Sequence, residues 1–273
     1  MTFAMHRLGS RASGLLVRLI ALLLFGYILF PLIVTIAVSF SDTSLLRFPP
    51  SGLSLRWYTT FLQDPDYISS IINSTKVAVA ATLIALLLGI PAAAAIALGR
   101  LPGAALLSSY FVLPLIVPHV VFGVALLQVA SSLGWARSTP ILVMGHVILV
   151  LPYVVRMMLG AFVGMDPRLR DASLDLGANE FQTFRLVTLP IVSSNVFAAA
   201  IFSFVVSWTN VELSIFNAAP DFSLTPLKIF NYVQYSIDPT IAAVSASTIY
   251  AAIVLLLAID LLVGTEKFAG IQK

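Results

Sequence analysis

The chain has 273 residues, of which 59% are hydrophobic and only 10% charged, with a formal net charge of +3. Ordinary soluble domains carry roughly 25% charged residues, so a soluble globular class is excluded, and so small a net charge calls for no nucleic-acid partner. There are no cysteines, which removes disulfides, thiolate catalysis and cysteine-ligated metals. Uncharged apolar runs of about 20 residues recur, each long enough to cross a hydrocarbon core roughly 30 Å thick. The predicted fold is all-α: a polytopic membrane helical bundle with six transmembrane helices, treated as one transmembrane domain over residues 1–273. A β-barrel would show short alternating segments instead.

In chain order, the first predicted span runs from about Leu15 to Phe40 and carries Pro31. Arg7, Arg11 and Arg18 precede it in the manner of a secretory signal. Its apolar stretch, however, runs far past an h-region of about 7–15 residues, so it reads as a retained first span. The outer loop from Ser41 to Ser69 holds Pro49, Pro50 and Pro65. Its Trp57, Tyr58 and Tyr67 fit an interfacial aromatic belt. The second span is placed at Val77–Leu98 with Pro91, the third at Ala104–Ala130 with Pro114 and Pro118, and the fourth at Ile141–Gly164 with Pro152. The fifth runs from Pro190 to Phe216. After a long outer loop from Asn217 to Pro239, the sixth runs from Ile241 to Val263. In a bundle, neighbouring helices can satisfy the carbonyls that such prolines free.

Lys and Arg set the orientation. With the N-terminus inside, the cytoplasmic segments hold Arg7, Arg11, Arg18, Arg100, Arg168, Arg170, Arg185, Lys267 and Lys273. The outer segments hold Arg47, Arg56, Lys76, Arg137 and Lys228. Nine against five favours both termini in the cytoplasm.

Between the fourth and fifth spans, over about residues 165–190, lies the longest polar passage of the chain. Asp166 suits an N-cap and Pro167 the first helical position, which predicts a helix to about Leu176. Gly177 permits the positive φ that ends it. Asn179 and Gln182 then form a variant of the capping box for a second short helix. Leu174, Ala178 and Phe181 form an apolar ridge. Asp171 and Asp175 share one side and need a cation such as Arg168, or a partner, to relieve them. An amphipathic connector resting on lipid headgroups explains this pattern as well as a docking element does.

The passage resembles the EAA loop in permease subunits of bacterial ABC importers of the binding-protein-dependent type. Asp171-Ala172-Ser173 stands where that family has Glu-Ala-Ala, and Asp175, Gly177, Ala178 and Leu189-Pro190 match. Further likeness to the spermidine/putrescine branch lies in Leu53-Ser54-Leu55-Arg56-Trp57-Tyr58, Asn73-Ser74, Leu113-Pro114-Leu115-Ile116-Val117-Pro118, Gly145-His146, Leu151-Pro152-Tyr153-Val154-Val155 and Leu227-Lys228-Ile229-Phe230. The resemblance implies a coupling helix at the cytoplasmic surface. Its coupling residues would be Asp171, Ala172, Ser173, Asp175, Gly177, Ala178, Phe181, Leu189 and Pro190, docked on an ATPase subunit. It also implies the partners: a dimer of ATP-binding ABC subunits, a second homologous permease and an extracytoplasmic solute-binding protein. The expected location is the bacterial inner membrane.

The chain itself has no Gly-x-x-x-x-Gly-Lys-Ser/Thr phosphate loop, no metal-spaced histidines and no nucleophile–base pair. It is therefore not expected to be an enzyme or to hold a cofactor, and ATP and Mg belong to the partner. Polar and ionisable residues within spans usually face a bundle interior or water. His119, Gln128, His146, Arg156, Glu212 and Asp260 qualify by position. His146 suits a bond to a neighbouring helix as well as contact with solute. The candidate solute pathway is His119 with Trp208, Thr209, Asn210 and Glu212; for the fifth-span cluster, helix packing or termination competes with lining.

Polyamine permeases typically carry an acidic residue where His119 stands and often two where Thr209-Asn210 stand. A cargo less cationic than spermidine is expected: an amino acid derivative, opine, aminophosphonate or organic anion. The rival classes are an ion-coupled secondary transporter, using titratable groups such as Glu212, His119 and Asp260, and a non-transporting membrane anchor.

Overall fold

The computed structural model describes residues 2–99, 101–235 and 238–263, with side chains described over 16–99, 101–235, 238–254 and 257. Arg100, Lys267 and Lys273, and the side chains of Arg7, Arg11 and Asp260, lie outside this description.

Among the described residues the secondary structure is helical apart from one isolated antiparallel bridge, Ser41 to Leu53. In chain order the helices are α1 (Thr2–Ser39), α2 (Arg56–Gln63), α3 (Pro65–Leu98), α4 (Ala104–Val112), α5 (His119–Ser132), α6 (Thr139–Val163), α7 (Pro167–Asp175), α8 (Glu180–Thr183), α9 (Leu189–Ile191), α10 (Ser193–Thr209), α11 (Glu212–Asn217), α12 (Thr225–Tyr235) and α13 (Thr240–Val263). A single 3₁₀ turn, Leu113–Leu115, follows α4, and a π-helical turn, Phe184–Thr188, joins α8 to α9.

Leu16–Ser39 of α1, all of α3 and all of α6 are long and apolar enough to cross a membrane. Pro31, Pro91 and Pro152 sit inside these helices without ending them. The third predicted span differs from expectation in being a bent pair rather than one helix, and a second bend falls at the entrance of the fifth. Ala104–Leu115 meets His119–Ser132 at 95°, and Glu180–Ile191 meets Ser193–Thr209 at 71°. In the third, Pro114 and Pro118 stand four residues apart. The second is the N-cap of α5, with an extended ψ of 131°, so the two missing N–H groups fall within one turn and the helix cannot run through. The fifth span also stops short of Phe216: α10 ends at Thr209, and α11 begins after a break at Asn210 and Val211. The sixth predicted span falls on α13.

The chain forms two compact units. One is the chain up to Pro65 together with Tyr232–Ala258; the other is Asp66–Asn231 with the chain from Ile259. In the first, Trp57 and Tyr58 do not lie open as interfacial aromatics. α2 folds back on the turn after α1, so the Trp57 indole is buried and donates to the Ser41 carbonyl at 2.8 Å. The Tyr58 hydroxyl sits 2.7 Å from Ser39 Oγ and 3.5 Å from the Tyr250 hydroxyl.

In the larger unit α6 is the centre, packed by α10, α4, α5 and α11. Its buried Val150, Val154, Val155, Met158 and Phe162 join Ala85 and Ala93 of α3 in the main core. α3 presents a buried small-residue seam, Ala78, Ala81, Ala85, Gly89 and Ala93. Such seams allow helices to approach closely in a membrane, where water supplies no drive for association.

Candidate functional site

The polar passage folds as its caps dictate. The Asp166 carboxylate accepts from the Arg168 amide at 3.0 Å and Pro167 takes the first position of α7. Such a cap is worth about 1 kcal/mol. α7 ends in a Schellman arrangement: the Gly177 amide donates to the Leu174 carbonyl at 2.9 Å and the Ala178 amide to the Ser173 carbonyl at 3.2 Å. Gly177 has φ +90°, a conformation that any side chain would strain. α8 then opens with the reciprocal capping box: the Asn179 side chain accepts from the Gln182 amide, and the Gln182 side chain accepts from the Asn179 amide, both at 2.9 Å.

The structure brings Asp171, Ala172, Asp175, Gly177 and Phe181 together as exposed residues of this elbow. Ser173 is half-buried, its hydroxyl 3.0 Å from Thr183 Oγ1. Leu189 and Pro190 are apart from them, beyond the π turn, where the chain bends into α10. The predicted ridge is only partly exposed: Phe181 is open, but Leu174 and Ala178 are half-buried. The open apolar surface is instead a groove of about 370 Å³, lined by Leu169, Ala172, Leu176, Ala178, Leu186 and Val187 with Ser173 and Gln182. Leu176 is 90% and Leu186 68% exposed. The spacing 169, 172, 176 was the available signal for this face. The cation beside the loop carboxylates is Arg170, not Arg168. Its Nη1 lies 3.8 Å from Asp171 and its Nη2 meets Glu180. Residues 168 and 170 point to different sides of α7, and only 170 faces α8.

At the expected outer half of α10, the polar cluster coincides with the helix break. Asn210 is buried, and both ends of its side-chain amide are engaged. Oδ1 accepts from the Leu213 amide at 2.9 Å, and Nδ2 donates to Glu212 Oε2 at 3.1 Å. The Asn210 carbonyl accepts from Ser214 Oγ. Thr209 Oγ1 donates back to the Val205 carbonyl, and the Trp208 indole donates to Thr75 Oγ1 at 3.3 Å, tying α10 to α3. Glu212 is the first residue of α11.

His119 is the first residue of α5, half-buried. Gly123, one turn on along the same face, sits against α11. A Cβ there would meet Phe216 at 3.0 Å and the Glu212 carbonyl at 3.1 Å, and the Asn217 amide donates to the Gly123 carbonyl at 2.9 Å. The His119 turn and the Glu212 turn thus belong to one packed α5–α11 pair. His146 takes the neighbouring-helix role: its Nδ1 is 2.8 Å from Ser207 Oγ, both buried. Gln128 and Arg156 are exposed side chains of α5 and α6.

The expected outer end of the larger unit is closed by segments about 150 residues apart in sequence. The Thr225 amide donates to Ser74 Oγ at 2.8 Å, and the Asn73 amide donates to the Ser223 carbonyl at 3.3 Å. Lys228 lies 4.1 Å from the centre of the Tyr67 ring and 3.9 Å from Asp66. Among the described residues no group of three or more acidic or histidine side chains could hold a metal ion.

Residues 85–264 match the family described as binding-protein-dependent transport system inner membrane component. The spermidine/putrescine transport system permease protein PotC of Escherichia coli (strain K12) is 27% identical, over 90% of this chain and 93% of its own. The trehalose transport system permease protein SugB of Mycobacterium tuberculosis (strain CDC 1551 / Oshkosh) is also 27% identical, over 78% of this chain and 80% of its own. The crystal structure of a bacterial ABC transporter involved in import of the acidic polysaccharide alginate contains a chain of similar fold. That match has TM-score 0.72 at 14% identity and covers 93% of this chain and 97% of that one.

Proposed function

Because the chain belongs to the family of binding-protein-dependent transport system inner membrane components, we propose that α7 and α8 are the element through which it takes up work from a separate ATPase. It is a permease subunit of an ABC importer, in a family of inner-membrane proteins, and permeases of this kind are not enzymes. ATP and Mg are the partner's, and the chain's role is to switch between outward- and inward-open forms by hinge or shear motion. A second permease, an ATPase dimer and an extracytoplasmic binding protein complete the assembly, with both termini of this chain in the cytoplasm.

The observation that carries this reading is the open face of α7. A helix capped at both ends, turned sharply at Gly177 and left with an apolar groove is built to seat against something. Asp171 and Asp175 beside the groove select a cationic rim on the partner. Asp171→Arg and Gly177→Pro are expected to leave the chain in the membrane but to abolish ATP-driven uptake. Assembled complexes carrying either change and retaining wild-type, transport-linked ATPase activity would refute the role.

The proposed pathway residues are His119, Trp208, Thr209, Asn210 and Glu212. Asn210 contributes by holding the α10–α11 break, with Trp208 bracing it against α3. His119, Thr209 and Glu212 remain to meet solute. With one carboxylate among them, this lining suits a cargo of lower positive charge than spermidine: an amino acid derivative, an opine, an aminophosphonate or an organic anion.

A further inference from the structure

α7 and α8 are joined by more than their shared turn. Ser173 and Thr183 form one rung, 3.0 Å between hydroxyls, with Thr183 fully buried. Arg170 and Glu180 form a second, with Nη2 on Oε1. The rungs use residues 170 and 173 of α7 and 180 and 183, the first and last residues of α8. Each pair is three apart, so both rungs lie along one edge of each helix. That edge is committed to α8, which leaves Leu169, Ala172 and Leu176 free in the groove. Arg170, Glu180 and Thr183 also line a cavity of about 620 Å³ with Ala94, Leu98, Gly99, Phe184 and Thr188.

A turn through a single left-handed glycine is a compliant joint. A push on α7 reaches α10 only if that joint does not give. An exposed ion pair adds at most about 1 kcal/mol to stability, so the Arg170–Glu180 rung has little to do with whether the loop folds. Its consequence is for the angle between the two helices under load.

We infer that Arg170 and Glu180 are positioning residues for energy coupling: with the Ser173–Thr183 rung they make α7 and α8 a rigid elbow, so that displacement of α7 is delivered to the fifth span instead of being absorbed at Gly177. This rests on the reading of α7 as the ATPase-docking element.

The test uses the complete importer copurified with this chain and reconstituted in lipid nanodiscs. Its stimulus is the copurifying binding protein as isolated. This chain has no cysteines, so once reactive cysteines of the partner subunits are replaced, spin labels at Arg168→Cys and Arg185→Cys report the elbow distance, with and without Mg-ATP and vanadate. Arg170→Gln and Glu180→Gln are each expected to broaden that distance. Each should also lower stimulated ATPase activity by roughly 2- to 30-fold, the span of effects seen along coupled networks, with basal ATPase and assembly unchanged. The exchange Arg170→Glu with Glu180→Arg is expected to recover both. Single variants that keep a narrow distance and wild-type stimulation would overturn the inference, as would an exchange that recovers nothing. Asp171→Arg separates the two readings. If it uncouples while Arg170→Gln does not, only the elbow fails; if neither has an effect, the docking role has failed and the elbow with it.

Discussion

At Asn210 a single side chain decides how α10 becomes α11. Its carbonyl oxygen caps the Leu213 amide and its amide nitrogen holds Glu212. Asn210→Ala removes the cap and frees the carboxylate, a loss of about 1 kcal/mol or somewhat more. Thermal unfolding of the purified protein should register it as a lowered midpoint, and uptake should fall with it. Asp238 is a second such position. Burial works against its charge, yet hydrogen bonds from Tyr232 and Thr240 and the charge of Arg56 hold its pKa below the usual carboxylate range. A depressed carboxylate contributes stability above its unfolded pKa of about 3.9 and loses it as pH falls toward the folded value. Acidification below about pH 4 is therefore expected to lower the wild-type midpoint more steeply than that of Asp238→Asn. The loop caps were legible in the sequence because capping is local chemistry: Asp166, Gly177, Asn179 and Gln182 each act within four residues. Arg170 was not, since its choice of Glu180 depends on how two helices fold over a glycine turn.

The helices themselves show where hydropathy reading stops. It found the apolar runs, but an average over a window is blind to a 95° bend between Leu115 and His119. Only the paired prolines announced it. The polar run from Ser207 to Glu212 carried two readings, lining and termination. In the structure the run sits where a helix stops, because a backbone that leaves helical geometry inside a bundle must find partners nearby. Packing of the broken pieces is tight at Gly123, against Phe216 and the Glu212 carbonyl. Gly123→Val should push α5 off α11, costing about 1–3 kcal/mol as overpacked core changes do. A lowered unfolding midpoint would show it, whereas an unchanged midpoint would refute a tight α5–α11 contact at Gly123.

For the whole molecule, the family was legible because its signature spans the chain: the loop between α6 and α10, the paired prolines, and the segments that meet at Ser74 and Thr225. The cargo was not, since the polar residues of the proposed pathway fix a charge balance and not a chemical identity. What the chain does supply is a charge balance of one carboxylate, Glu212, with His119 and no further acid among the proposed lining. Uptake competition tests this directly. Spermidine is expected to compete poorly with the natural cargo, and potent inhibition at the cargo's own affinity would defeat the proposal.

The π-helical turn at Phe184–Thr188 has a consequence for the entrance of the fifth span. Such a turn holds one residue more than an α-helical turn would, and one residue of α-helix is a rotation of about 100°. The turn therefore sets the rotational phase of α9, up to the 71° bend at which α10 begins. Excising one residue there would restore an ordinary turn and rotate Leu189 and Pro190 by about 100° just ahead of that bend. The direction from which the chain enters the fifth span is thus indexed beside the same elbow on which work is proposed to arrive.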